Sequence, residues 1–304
     1  MTAPVDWTKH GWGIRVANAH ELFRLISHIA LLEQSRIYAW RGQRDATWQF
    51  DSSLYRKLEQ GDGMVTESRL REAERSTLEA ARDWGLGRDL GNSATDMHML
   101  AVLQHHGVPT RLFDVTANPM TALYFAIQHD RPDESGVTKK ADGALFGIDV
   151  TDTEWYETFQ HRGTRTYEES KRPLTAPWER ALATSEDDKS FFRAFPALPD
   201  ERMKAQEGFF LGSAVPTDHV AEGVRGLNPT SKLAPGGARL RKLLEQDKPG
   251  RGRPARVPFI AIVIPREVKE KVRNPLKRTY NRRPRVMFPD VDGFRKALAA
   301  DQLD

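Results

Sequence analysis

The stretch Thr110–His129, TRLFDVTANPMTALYFAIQH, decides the fold class. Its first seven residues are apolar and β-prone, so they read as a short strand. Asn118 and Pro119 then supply a helix N-cap and a proline at the first helical position, where a missing N–H costs nothing. The helix that starts there, MTALYFAIQH, is apolar on most sides, which predicts burial. A strand feeding directly into such a helix predicts a sheet covered by helices.

Working outward toward the N-terminus, Thr95–His106 reads as a helix that Gly107 ends and Pro109 prevents from resuming. Thr66–Trp84 puts Leu70, Ala73, Thr77, Ala81 and Trp84 on one helical stripe opposite a charged face. His20–Gln34 carries Leu22, Leu25, Ile26, Ile29 and Leu32 in the same way and leads into a strand candidate, RIYAW. Toward the C-terminus, a polar break at 130–142 precedes the strand candidate GALFGIDV. A helix is predicted around Glu186–Phe195, then a strand over RMKAQEGFFLG at 202–212 and a helix over GARLRKLLEQ. VPFIAIVI at 257–264 is the clearest strand, an unbroken apolar run suited to a central position, and a last helix follows MFPDVDG. Residues 151–185 have weak periodicity, and 212–256 are rich in Gly, Pro and Arg; both are expected as mobile insertions in a single domain spanning 1–304. There is no internal repeat, and the irregular order of elements predicts α+β rather than a βαβ alternation.

The 304 residues suffice for a real core, and 39% hydrophobic with 29% charged residues is the composition of a soluble globular protein. The absence of cysteine excludes disulfides, thiolate metal sites and cysteine nucleophiles. The start, MTAPVDWTKHGWG, lacks the basic and apolar runs of a signal peptide, and no apolar segment approaches a membrane span, so a cytoplasmic protein without membrane contact is expected. A net charge of +4 is too small to announce a nucleic-acid binder. Its distribution is uneven: from Arg225 to Arg285 the acids are Glu245, Asp247, Glu267 and Glu270 alone, while KPGRGRPAR and KRTYNRRPR are strongly basic. That region reads either as a solvated face or as a platform for nucleic acid or an acidic protein.

Arg41 and Gly42 end the aromatic run YAWRG, where a guanidinium must find an anion or remain in water. It either holds a ligand phosphate bidentately or pairs with a carboxylate such as Asp114. Period-two alternation in TRLFDVT sets Leu112, Asp114 and Thr116 on one face and Arg111, Phe113 and Val115 on the other. Asp114 and Thr116 either shape the turn into the Asn118 cap or face a ligand at the start of the next helix. His105 and His106 end a helix, where His105 either caps carbonyls or contacts ligand as an acid or base. Neither has a histidine or carboxylate one turn on, so no metal is expected. Trp40 and Trp48 are assigned to the core, and Tyr55, near Ser52, Ser53 and Arg56, to a pocket. No phosphate-binding glycine loop and no serine nucleophile elbow is present, which argues against kinases, Rossmann oxidoreductases and serine hydrolases.

Taken together, YAWRGQ, WQFDSSLYR, QHHGVPTRLFDVTANP, RMKAQEGFF and RVMFPDVDG resemble, in order from Trp7 to Leu298, the FRG domain, a family named for an aromatic-Arg-Gly motif. A weaker resemblance links the chain to ADP-ribosyltransferases of the Arg-Ser-Glu type. These place an arginine at the end of a first core strand, a hydroxyl-bearing strand before a buried helix, and a Glu or Gln motif on a later strand. That resemblance implies a split sheet surrounded by helices and NAD as substrate. The implied activity is ADP-ribosyl transfer or NAD hydrolysis, with a role as a toxin-like effector in antiviral defence. Arg41 would hold the diphosphate beside Gly42, with Tyr55, Arg111, Asp114, Thr116 and Asn118 around the nucleotide. His105 would orient the ribose. Gln206 or Glu207 would stabilise the developing sugar cation, and on a regular strand only one of those two neighbours can face the cleft. The alternative is a non-catalytic module that binds a nucleotide or nucleic acid through the Arg41 cleft and residues 225–285.

Overall fold

The computed structural model describes residues 4–32, 35–61, 63–87, 95–128, 141–153, 155–157, 176–188, 191–195, 200–215, 236–244 and 257–299. Eight strands form one sheet: β1 (Gly13–Arg15), β2 (Tyr38–Gln43), β3 (Phe113–Thr116), β4 (Gly143–Asp149), β5 (Trp155–Glu157), β6 (Phe192–Phe195), β7 (Gly208–Gly212) and β8 (Phe259–Ile264). Their spatial order is β1-β8-β4-β2-β3-β7-β6-β5. β1 runs parallel to β8 and β5 to β6, and the remaining pairs are antiparallel. The mixed α+β class read from the sequence holds.

Around the sheet lie α1 (Ala19–Ala30), α2 (Ser53–Glu59), α3 (Glu67–Asp83), α4 (Asp96–His105), α5 (Pro119–Ala126) and α6 (Ala176–Asp188). They are followed by α7 (Glu201–Ala205), α8 (Gly237–Leu244), α9 (Arg266–Arg278), α10 (Pro284–Met287) and α11 (Val291–Ala299). Caps set several helix starts: Asn18, Thr66, Thr95 and Asn118 each accept a backbone N–H of the first turn of α1, α3, α4 and α5. Every residue of β4 and of β8 is buried, which explains their continuous apolar composition. Phe50 stacks on Phe113 (5.2 Å) and meets Phe146 (4.7 Å), while Trp7 stands edge-on to Phe146 (4.9 Å). Each fully buried side chain of this size contributes roughly 1.5–3 kcal/mol. A second cluster joins Met97 and Leu100 of α4 to Trp178 of α6 and to Phe192 and Phe210 of β6 and β7.

Two features position the site. β2 pairs with β4 along its whole length, Tyr38 opposite Asp149 through Gln43 opposite Ala144, but with β3 only at Trp40–Thr116. Beyond that pair β2 and β3 part, and the sheet opens between Arg41-Gly42 on one side and Asp114-Val115 on the other. The second feature is α5, which lies directly on β2 and β4. A Cβ at Gly42 would stand 1.9 Å from the carbonyl oxygen of Ala122, and one at Gly143 would stand 2.2 Å from that of Ala126. Both glycines are thus demanded by helix–sheet contact, whereas the sequence reading gave Gly42 to the approach of a ligand.

Several expectations need correction. RMKAQEGFFLG is not one strand: residues 201–205 form α7, Gln206 ends it, Glu207 takes a left-handed conformation (φ 51°), and β7 begins only at Gly208. The helix predicted around Glu186–Phe195 is displaced, since α6 ends at Asp188 and Phe192–Phe195 is β6. Residues 151–185, expected as an irregular insertion, contain β5 and most of α6, whereas α8 within 212–256 is the helix expected over GARLRKLLEQ; residues 158–175, 216–235 and 245–256 lie outside the described residues. α9 escaped the sequence reading because it is strongly polar and contains Pro275. Among the described residues no helix is long and apolar enough to cross a membrane.

Candidate functional site

The opening between β2 and β3 continues into a cleft of about 280 Å³. Its strand side is formed by Arg41, Gly42, Asp114 and Thr116, its helix side by Thr121, Ala122 and Phe125 of α5. His105 at the end of α4 and Arg202, Met203 and Gln206 at α7 complete it. Arg41, Gly42 and Phe125 also border a second basin of about 600 Å³, lined by Arg44, Trp48, Asp51 and Arg56, so the two hollows meet at Arg41.

Arg41 bridges the gap in the sheet. Its Nη1 donates to the carbonyl of Asp114 (2.6 Å) and stands 4.0 Å from that residue's carboxylate, while its Nε is buried with no hydrogen-bond partner among the described residues. The guanidinium carbon lies 5.9 Å from the ring centroids of both Phe50 and Phe113. Burial lowers its pKa below the ordinary arginine value, Asp114 opposes that fall and Arg56 adds to it. The group is a cation held between aromatic rings with donor capacity left over. Asp114, with 59% of its side chain exposed, accepts from Nε2 of Gln104 (2.8 Å).

The hydroxyl of Thr116 donates to the carbonyl of Gln206 (2.7 Å) and accepts from the backbone N–H of Asn118 (3.0 Å). It fixes the β3–α5 turn to the end of α7 and is not left for a ribose. The Gln206 amide nitrogen donates to the carbonyl of Met287 (2.8 Å), which keeps the side chain at the cleft. Glu207 points elsewhere: its carboxylate accepts from Nδ2 of Asn118 (2.9 Å) and Nη2 of Arg282 (3.0 Å), with 45% of the side chain exposed. The choice between these neighbours is thus made by a helix end and a left-handed residue, not by strand alternation. Asn118 caps α5 through Oδ1 and holds Glu207 through Nδ2, and does not line the cleft. His105 lines it, with Nε2 2.6 Å from the Asp200 carboxylate.

Besides Asn118 and Glu207, two further assigned residues, Arg111 and Tyr55, do not line the cleft. Arg111 is buried, its side chain 1% exposed, and forms a two-point pair with Glu74 (2.8 and 2.6 Å) while Nη1 reaches Glu67 (2.9 Å). Its carbon lies 5.4 Å from the ring of Trp178. The sequence reading set Arg111 around the nucleotide even though alternation put it on the face opposite Asp114 and Thr116; the structure corrects that assignment. Tyr55 packs with Leu54, Val65 and Leu70 between α2 and α3. Conversely, Trp48 is 43% exposed, not core, and lies under the Arg44 guanidinium (5.2 Å). Arg202, Phe125 and Met203 were missed; Phe125 was hidden in an all-apolar helix and the other two in a segment read as a strand. Among the described residues no group of three or more His, Asp or Glu is gathered to hold a metal ion.

The model of the FRG domain family matches residues 36–135. That stretch runs from β2 past α5 and contains Arg41, His105, Asp114 and Thr116; Gln206 and Glu207 lie beyond it, and the match is narrower than the Trp7–Leu298 span of the sequence resemblance. No curated protein and no solved structure matches the chain.

Proposed function

We propose that the double hollow centred on Arg41 binds a nucleotide with its phosphates at the Arg41 guanidinium, and that the nucleotide is NAD, cleaved between nicotinamide and ribose. The observation that carries this reading is Arg41 itself: a partly buried cation at a break in the sheet that lines two connected hollows, with an Nε that has no partner among the described residues. A planar guanidinium suits a diphosphate, and hollows on both sides suit a ligand with a ring system at each end. Phe125 walls the smaller hollow, and Trp48 offers a half-exposed face in the larger.

Cleavage breaks the bond between C1′ and the nicotinamide nitrogen; the electron pair leaves with nicotinamide and positive charge develops on the sugar. The carboxylate facing the cleft is that of Asp114, so it stabilises this charge in place of Glu207, with Gln206 positioned by Thr116 and Met287 beside it. Water or an acceptor nucleophile then takes the ribosyl group, giving hydrolysis or ADP-ribosyl transfer. The effector role in microbial defence rests on the family resemblance alone.

A second reading, a nucleotide-binding module without turnover, is favoured by one observation. Among the described residues no glutamate lines the cleft, and Glu207 is held by Asn118 and Arg282. In the basic region that reading invokes, Arg251 and Arg253 lie outside the described residues and Arg282 is already paired.

The test measures nicotinamide release from NAD by the purified protein, with and without cell lysate, alongside NAD binding by calorimetry. NAD-dependent release that Arg41→Ala and Arg41→Lys both reduce by at least tenfold supports the enzyme. Binding that needs Arg41 without release supports the module. Binding and turnover indifferent to Arg41 would refute both.

A further inference from the structure

A further cavity of about 180 Å³ lies between the C-terminal end of α5, α9 and the segment leading into α10; it shares Gln128, but none of its cations, with the larger hollow at Arg41. Four cations line it: Arg273 and Lys277 from α9, and Arg282 and Arg283 from the segment that follows. No acidic side chain lines it among the described residues. Arg273 is partly neutralised from outside by Glu270 (3.6 Å) and Arg282 by Glu207 (3.0 Å). The Nε atoms of Arg282 and Arg283 are buried and have no hydrogen-bond partner among the described residues. Two arginines whose donor capacity is not filled among the described residues thus stand at one cavity, and an acceptor entering it would meet their guanidinium nitrogens.

We infer that this cavity is a second anion site, selective for a phosphate group carried by a small molecule, and distinct from the Arg41 cleft. Tyr124 joins the cations at its wall, and burial pushes its phenol up to about 12 against the opposing pull of Arg273, so it stays protonated. A phosphate dianion accepts bonds on several oxygens at once, which suits arginines approaching from two elements better than it suits a single carboxylate. Leu276, Ile127 and Pro284 form an apolar wall that leaves room for an uncharged body such as a sugar, and the small volume excludes a large ligand.

Arg282 ties the site to the cleft. Its Nη2 holds Glu207, next to Gln206 in the chain, while the residue also lines the cavity. A bound phosphate and the Glu207 carboxylate would then share one guanidinium, and the charge of each weakens the hold of the other. This part does not depend on what the Arg41 cleft binds.

The experiment is isothermal titration calorimetry of the full chain at fixed ionic strength, with inorganic phosphate and with ribose 5-phosphate as probes. Arg283→Gln and Lys277→Gln, made separately, are each expected to weaken binding by tenfold or more, with the thermal unfolding of each variant showing that it folds. Arg41→Gln is expected to retain this binding, and Glu207→Gln to tighten it several-fold by removing that charge. Tighter binding of ribose 5-phosphate than of phosphate identifies a phosphorylated metabolite as the source, and equal binding identifies free phosphate. Binding that is absent, unchanged in both cavity variants, or abolished by Arg41→Gln would overturn the second site, and no tightening in Glu207→Gln would overturn the sharing of Arg282.

Discussion

Replacing Arg111 with methionine separates the two arginines that the sequence set side by side as ligand residues. In the structure Arg111 is enclosed, donating twice to Glu74, to Glu67, and to the carbonyl of Ser213 (3.3 Å). Its removal leaves a carboxylate with 2% of its side chain exposed facing an apolar side chain. Breaking a buried pair from one side costs about 3–5 kcal/mol, most of it the uncompensated charge that remains. The sign of the pH dependence follows from Glu74. Burial already raises its pKa above the ordinary 4.5, and Arg111 acts to lower it. A carboxyl whose folded pKa lies above its unfolded value favours folding at low pH and weakens it as pH rises through that folded value. Without Arg111 the folded pKa rises further, so the deficit of the variant is largest near neutrality and shrinks as the pH falls toward the unfolded value. Urea unfolding followed by tryptophan fluorescence, for wild type and variant at about pH 7 and pH 5, measures the difference directly and cancels the other titrating groups. A loss under about 1 kcal/mol at neutral pH, or a deficit that grows on acidification, would refute the assignment. So would an unchanged stability accompanied by lost NAD binding.

Three further outcomes bear on the site and its support. Gly42→Ala forces a methyl to within 1.9 Å of the Ala122 carbonyl and is expected to lower stability by about 1–3 kcal/mol or more, seen as a lower midpoint in thermal unfolding; an unchanged midpoint would mean that α5 does not sit on β2 as described. Trp48→Ala, at a half-exposed ring, is expected to leave stability nearly unchanged while weakening nucleotide binding by about 1–3 kcal/mol in a calorimetric titration, the range for base stacking on an aromatic side chain; equal affinity would remove the larger hollow from the ligand's path. If NAD is cleaved, Asp114→Asn is expected to reduce nicotinamide release by about 10²-fold or more, the scale of losing one electrostatic stabiliser, while Glu207→Gln stays within a few-fold. The reverse ranking would return the role to Glu207 and require Arg282 and Asn118 to release it.

What was legible and what was not divides along a physical line. β4, β8, α1, α3, α4 and α5 came from periodicity and caps, signals that lie within one element and survive folding unchanged. The pairing of Arg111 did not, because Glu67 and Glu74 lie on α3, far from β3 in sequence, and nothing near TRLFDVT marks them as partners. The turn at Gln206-Glu207 was hidden for a different reason. AQEGFF has no Asn or Gly at the residue that adopts the left-handed conformation, so alternation looked applicable where it was not. Glu207 holds φ 51° at a conformational cost of about 1–2 kcal/mol. Tertiary bonds offset it: the carbonyl of Glu207 accepts from Ala117 (3.1 Å), that of Gln206 from Thr116, and the Glu207 side chain from Asn118 and Arg282.

Those bonds also explain why a cleft exists between β2 and β3 at all. Beyond Trp40–Thr116 the ladder between the two strands stops, yet β3 stays fully paired with β7, from Phe113 opposite Leu211 to Thr116 opposite Gly208. β2 is held in turn by β4, and α5 presses on it through Gly42. Each strand is thus anchored to a different neighbour, and the single residue that spans the gap is an arginine whose donors are only partly used. Arg111 and Arg41 both lie against aromatic rings, but two glutamates complete the first, whose side chain is 1% exposed, while the second, 22% exposed, has one carbonyl, a carboxylate at 4.0 Å and an Nε with no partner among the described residues. Residue type could not distinguish them; the unused donor does, and it is the reason the proposed ligand anion is set at Arg41 and not at Arg111.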